Sequence, residues 1–178
     1  MIRYDRRNFL IKSAALTGGF ALGVQLPEFV RAAVITPQGP ELTHWIVIEP
    51  DDTVIVRIAR SELGQGSFTG LAMLVAEELD ADWSKVRAEY ADVNEHVRRD
   101  RIFGSMSTGG SRGIRDSQEY VRKGGAAARE MLVAAAAKQW GVPASECSVS
   151  NGVISHQDGQ RKTSFGKVAA AAAEMEIP

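Results

Sequence analysis

A β-branched run, Thr53-Val54-Ile55-Val56-Arg57-Ile58, leads into Glu62-Leu63-Gly64-Gln65-Gly66-Ser67, after which Leu71, Leu74, Val75 and Leu79 recur at helical spacing. This order of strand, glycine corner and helix constrains the fold more than any other part of the chain. Gly64 and Gly66 lack a Cβ, so the backbone there can take positive φ and let a ligand come close. Gly66 or Ser67 is placed at the helix N-cap, and the first-turn amides are expected to stand unpaired. Unpaired amides with the positive end of a helix dipole behind them form a site for phosphate or another anion.

A second run, Ser105-Met106-Ser107-Thr108-Gly109-Gly110-Ser111-Arg112, repeats the arrangement with more donors. Hydroxyls alternate with glycines, Arg112 adds a fixed charge, and a long helix is expected from about Arg115 to Trp140. Two such loops facing one another would cradle a polar, anionic ligand. The competing reading is that both are ordinary Gly/Ser loops serving turns.

Around these loops the periodicity predicts an α+β fold: a small mixed or antiparallel sheet with hairpins, packed against two or three helices, one of them long. His44-Trp45-Ile46-Val47-Ile48 pairs with the Thr53 run across Pro50-Asp51-Asp52. A helix over Thr69–Leu79 and a strand over Val86–Val93 follow. The mixed-sign stretch Glu95-His96-Val97-Arg98-Arg99-Asp100-Arg101 reads as a solvated loop. In the long helix, Val121, Ala128, Leu132, Ala135 and Trp140 share a stripe. Gly124-Gly125 interrupts it at a cost of about 2 kcal/mol against alanine. Close approach of another backbone or of a ligand must offset that cost. Gly141 and Pro143 end the helix, Asn151-Gly152 turns a hairpin, and Thr163 or Ser164 caps a last helix through Ala173. Glu77 and Glu78 read as solvated carboxylates, and Trp45, Trp83 and Trp140 as packing residues.

With 178 residues, 44% of them hydrophobic, the chain can bury one sizeable core. A formal net charge of −1 gives no field that would favour nucleic acid as a partner. The single cysteine, Cys147, cannot ligate an iron–sulfur cluster by itself and reads as a small buried hydrophobe. His44, His96 and His156 are isolated in sequence, so a zinc-type site is not supported.

The N-terminus reads as a targeting segment over residues 1–33. Asp5-Arg6-Arg7-Asn8-Phe9-Leu10-Ile11-Lys12 resembles a twin-arginine export signal, Ala14 to Leu26 is only mildly apolar, and cleavage is placed after Ala32. An uncleaved, membrane-associated form is the minor alternative. Residues 34–42 read as a linker into a domain spanning 43–178. Twin-arginine export carries folded proteins, which suits an enzyme loaded with a bulky cofactor in the cytoplasm.

Glu-Leu-Gly-Gln-Gly before an Ala/Val/Glu-rich helix, then Thr-Gly-Gly-Ser-Arg, then Gly-Gly-Ala-Ala-Ala-Arg-Glu-Met-Leu, resembles the molybdopterin-binding subunit of the xanthine dehydrogenase and aldehyde oxidase family. The branch most similar includes isoquinoline 1-oxidoreductase beta subunits and periplasmic aldehyde or nicotinate dehydrogenases. The resemblance implies a molybdopterin-type molybdenum cofactor, in one variant its cytosine dinucleotide form. It implies oxidation of aldehydes or N-heteroaromatics with water as oxygen source, and a periplasmic location. By the same resemblance, Gly64, Gln65 and Gly66 match the element that holds the pterin near the metal, and Thr108, Gly109, Gly110, Ser111 and Arg112 match the loop that binds its polar edge and phosphate. The implied partners are an iron–sulfur small subunit, a c-type cytochrome subunit, the remainder of a longer large subunit and a small-molecule substrate. No glutamate here occupies the context of the family's catalytic base, so the chain is expected to be an incomplete active site, inactive alone. The alternative from another class is a non-enzymatic exported module binding a small anionic ligand.

Overall fold

The computed structural model describes residues 39–178. The export signal expected over 1–33 and most of the expected linker lie outside the described residues. Strand β1 (Glu41–Thr43) already pairs antiparallel with β2 (Ile46–Ile48), so the ordered domain begins inside the stretch read as linker. Three residues are too few for alternation to show, so no strand signal is legible there.

Next in order come β3 (Val54–Ile58), α1 (Ser67–Leu79) and β4 (Val86–Tyr90). β2 and β3 form the expected hairpin, whereas β3 and β4 are parallel, paired from Val54 opposite Val86 to Ile58 opposite Tyr90. Helix α1 is therefore the crossover of a β-α-β unit, and the glycine corner lies at the carboxyl end of β3. In open α/β arrangements ligands gather at that end, because loops there leave a crevice between strand ends and helix N-termini. Val54, Ile55, Val56 and Ile58 are all buried, the continuous apolar run of an interior strand. Each such side chain contributes about 1.5–3 kcal/mol on leaving water.

α2 (Val93–Arg98) replaces the first half of the expected charged loop. Asp92 caps it by accepting from the Asn94 amide at 2.7 Å. α3 (Arg112–Arg115) is a single turn, and the long helix α4 (Gln118–Trp140) starts three residues later than expected, after a break at Asp116-Ser117. Gly141 ends α4 with φ 67°, as its sequence position suggested.

A second sheet, absent from the single-sheet expectation, follows: β5 (Cys147–Ser150), β6 (Val153–His156) and β7 (Lys162–Ser164), all antiparallel. Asn151-Gly152 turns its first hairpin with φ 50° and 77°. α5 (Phe165–Ala173) begins at N-cap Ser164. His156 lies between two carboxylates, its Nε2 2.9 Å from Glu146 and its Nδ1 2.9 Å from Asp158. The Glu146 hydrogen bond leads the causes that raise its pKa above the ordinary histidine value. Two tryptophan and cysteine expectations need correction. Trp83 is 48% exposed rather than packed, because it lies in the short turn that leads into β4, and Cys147, at the start of β5, is only half-buried.

The core joins the first sheet to α1, α4 and α5. Val121, Ala128, Leu132 and Ala135 form the buried stripe of α4. The glycine pair in α4 resolves as a protein contact. A Cβ on Gly125 would lie 2.9 Å from the Val75 carbonyl oxygen of α1, while one on Gly124 would meet side chains alone, Trp45 at 3.3 Å and the Thr43 hydroxyl at 3.9 Å. Gly125→Ala forces two helix backbones apart and is expected to lower stability by about 1–3 kcal/mol beyond any helix-propensity gain. Gly124→Ala gains about 1 kcal/mol of propensity against a small rearrangement of Trp45 and is expected to be close to neutral. Urea unfolding of the two variants checks this difference in sign.

Candidate functional site

The eight residues picked from the sequence divide into those that shape the corners and those that face the space between them. Gln65, Thr108, Gly109, Ser111 and Arg112 line one concavity of about 410 Å³, with Leu63, Ser67, Gly113 and Ile114 completing its wall. Gly64 and Gly66 turn the first loop, at φ 99° and 77°, and Gly110 turns the second at φ 58°. Only glycine adopts those angles without a steric penalty. Ser111, at φ 56°, is held in the same left-handed region without that freedom.

Ser61 joins the loops. Its amide donates to the Thr108 hydroxyl at 2.8 Å and its carbonyl accepts from Gln65 Nε2 at 2.8 Å. Behind it, α3 and the start of α1 meet through small residues. A Cβ on Gly113 would sit 3.3 Å from the Ser67 Cβ, and one on Gly70 would sit 3.2 Å from the Ile114 Cδ1. The concavity therefore has a floor of closely packed backbone and a rim of Leu63 and Ile114.

The two loops differ in one respect that overturns an expectation. The amides of the first are not free: the Glu62 carboxylate accepts from Gly64 at 2.7 Å, Gly66 at 2.8 Å and Phe68 at 3.0 Å. These bonds, Phe68 first and Gly66 next, hold its pKa below the ordinary glutamate value. Gln65 is committed as well, since Oε1 accepts from the Leu63 amide at 2.6 Å and Nε2 also donates to Ser67 Oγ at 2.6 Å. An anion supplied by the loop itself fills the nest that the helix N-terminus offers. In the second loop, by contrast, none of the main-chain amides from Ser105 to Ser111 meets an acceptor among the described residues. The open donors of the site thus belong to the second loop, with Arg112 beside them.

Sequence reasoning missed Arg60. It is 4% exposed, and its guanidinium donates from Nε to Ser117 Oγ at 2.9 Å, from Nη1 to Ser105 Oγ at 3.5 Å and from Nη1 to the Ser107 carbonyl. Hydrogen bonds from a charged donor contribute about 1.5–3 kcal/mol each, against a burial cost of several kcal/mol for an unpaired ion. All three acceptors are neutral, so the positive charge is held in place and not cancelled. Its partners lie 45 to 57 positions away in the chain, a range that local spacing does not encode. The available signal was a charge set directly after an apolar strand run.

Removing the Glu62 charge tests the internal nest. In Glu62→Gln, amide hydrogen exchange at Gly64, Gly66 and Phe68 is expected to accelerate while exchange in α4 is unchanged. The depressed pKa of Glu62 sets the sign of the pH effect. The restraint is fully present above the ordinary glutamate pKa and is lost as pH falls through the lowered value. NMR of the three amides against pH is therefore expected to show them constant at neutral pH and shifting together only in acid.

A profile of the molybdopterin cofactor-binding domain family matches residues 2–178. The isoquinoline 1-oxidoreductase subunit beta of Brevundimonas diminuta is 33% identical over 180 residues, covering 99% of this chain and 23% of that protein. The membrane-bound aldehyde dehydrogenase (pyrroloquinoline-quinone) of Gluconacetobacter polyoxogenes is 35% identical over 174 residues, covering 93% of this chain and 21% of that protein. The chain therefore spans less than a quarter of the length of these relatives. A solved copper- and molybdenum-containing carbon monoxide dehydrogenase shares the fold, with a TM-score of 0.56 at 20% identity over 71% of this chain and 15% of its own. On the extent of the profile match and of both alignments, the chain belongs to the molybdopterin cofactor-binding domain family.

Proposed function

We propose that this chain supplies part of the molybdopterin site of an oxidoreductase that oxidises aldehydes or N-heteroaromatic compounds with water as the oxygen source, and that it is inactive without the rest of that enzyme. The observation that carries the reading is the convergence of Gln65, Thr108, Ser111 and Arg112 on a single concavity whose second loop keeps its amides open. Those residues fit the group. The open amides and hydroxyls suit a polar, anionic edge, Arg112 suits its charge, and Leu63 and Ile114 offer apolar contact to a ring face. The molybdenum cofactor, when bound through its molybdopterin, would supply the redox-active metal. The chain's part is to orient and desolvate. Glu62 fixes the first loop, Gln65 and Ser61 set its distance from the second, and Thr108, Ser111 and Arg112 hold the ligand's edge.

The same reading places the protein in the periplasm, exported by the twin-arginine route, with an iron–sulfur small subunit and a c-type cytochrome subunit as electron acceptors. Among the described residues no helix is long and apolar enough to cross a membrane. The name of one relative states pyrroloquinoline quinone, an anionic quinone that makes the competing prosthetic group explicit. Metal and chromophore analysis of the protein purified with its partner subunits separates the two. Equimolar molybdenum with an oxidised-pterin fluorescence is the expected result, and Arg112→Gln and Thr108→Val should each lower pterin retention several-fold. A quinone absorbance without molybdenum would overturn the reading.

A further inference from the structure

Strand β4 is the last strand of the first sheet, and among the described residues no strand pairs with its outer edge. The Ala91 amide donates to the Ile58 carbonyl at 2.9 Å, which continues the parallel ladder and turns the main-chain groups of Arg87 and Glu89 toward β3. The main-chain groups of Ala88 and Tyr90 therefore point away from the sheet. Their amides meet no acceptor among the described residues, whereas the Val86 amide is taken by the Trp83 carbonyl.

Unpaired edges invite other strands, and natural sheets guard them with charges, often lysines, whose like sign repels a second copy. The charges on β4 are of another kind. Arg87 and Glu89 share one face of the sheet, bonded to each other at 2.8 Å, one on each side of Ala88. On the opposite face the Tyr90 ring packs against Phe68 of α1, with ring centres 4.8 Å apart. Tyr90 nevertheless remains exposed, as do Val93 just past the strand and Trp83 just before it.

A twofold axis through Ala88 makes this edge complementary to itself. Two antiparallel copies of β4 then set Arg87 opposite Glu89 and Glu89 opposite Arg87, with Tyr90 opposite Val86, an aromatic facing a β-branched residue. The two Ala88 residues exchange both main-chain bonds, and each Tyr90 amide donates to the Val86 carbonyl facing it. Other registers fail on charge. An axis through Arg87 or through Glu89 sets like charges opposite one another, and an axis through Val86 sets Arg87 opposite Lys85. We propose that this edge is a homodimer interface, at which a second copy of the chain adds its own β4, antiparallel about Ala88, and the two sheets become one. The strand shares no residue with the lining of the concavity between the glycine loops, so the inference goes beyond the cofactor reading and does not rest on it.

Sedimentation equilibrium of the full chain over a range of concentrations is the test. One strand from each copy makes a small interface, so a reversible dimer that dissociates on dilution is expected. Arg87→Glu turns both cross-strand attractions into repulsions, and so does Glu89→Arg. Each is expected to raise the dissociation constant by about tenfold or more. Mixing the two variants restores opposite charges across the axis, so a heterodimer of similar affinity to the unaltered dimer is expected. The doubly reversed chain, Arg87→Glu with Glu89→Arg, should likewise dimerise with itself. Such restoration also shows that both single variants fold. Pterin retention by either variant should match that of the unaltered chain, which separates failure here from failure of the cofactor reading. A chain that stays monomeric throughout, or a dimer indifferent to charge reversal, overturns the inference. So do Ala88 and Tyr90 amides already protected from hydrogen exchange in the dilute monomer, since another segment then fills the edge.

Discussion

A single buried cation organises the functional end of this domain. Arg60 follows directly on the interior strand β3 and reaches the second glycine-rich loop and the residue just before α4, so one side chain ties strand, loop and helix together. Ser61 completes the junction with one bond to each loop. Without these contacts the second loop would have little to hold it, since its own amides bond to nothing among the described residues. Open donors and a fixed position are what a binding loop needs, and here the fixation comes from outside the loop.

The two glycine corners, alike in sequence, do different work. In the first, Glu62 and Gln65 spend the loop's polar groups internally and make a rigid wall. In the second, the donors stay available and a serine is kept at positive φ. Rigidity on one side and unsatisfied hydrogen bonding on the other yield a preorganised site without requiring the loops to rearrange on binding. The crossover geometry of β3, α1 and β4 sets the frame, and the close approach of α4 to α1 at Gly125 keeps it there.

Much of this was legible in the residues. The β2–β3 hairpin, the glycine corner at positive φ, the α4 stripe and the Asn151-Gly152 turn all follow from local chemistry, in which a residue's own backbone preferences decide the outcome. The family resemblance, carried by the order of three glycine-containing segments, agrees with the profile match and the relatives. What could not be read is non-local. The parallel pairing of β3 with β4, the second sheet formed by the short β7, and the Arg60 bridge all depend on partners distant in the chain. The filled amide nest was hidden for a different reason. Nothing in its local sequence marks Glu62 as an acceptor, and only the wrapped conformation allowed by Gly64 and Gly66 brings it onto three amides at once.

Arg60 holds the two glycine-rich loops at a fixed separation across one concavity. Spin labels at Leu63→Cys and Arg115→Cys, both exposed positions flanking it, with Cys147→Ser in the background, report that separation by pulsed dipolar spectroscopy. One narrow distance distribution is expected, broadening in Arg60→Met while the fold persists. A broad distribution with Arg60 present, or a narrow one that survives its removal, would contradict it.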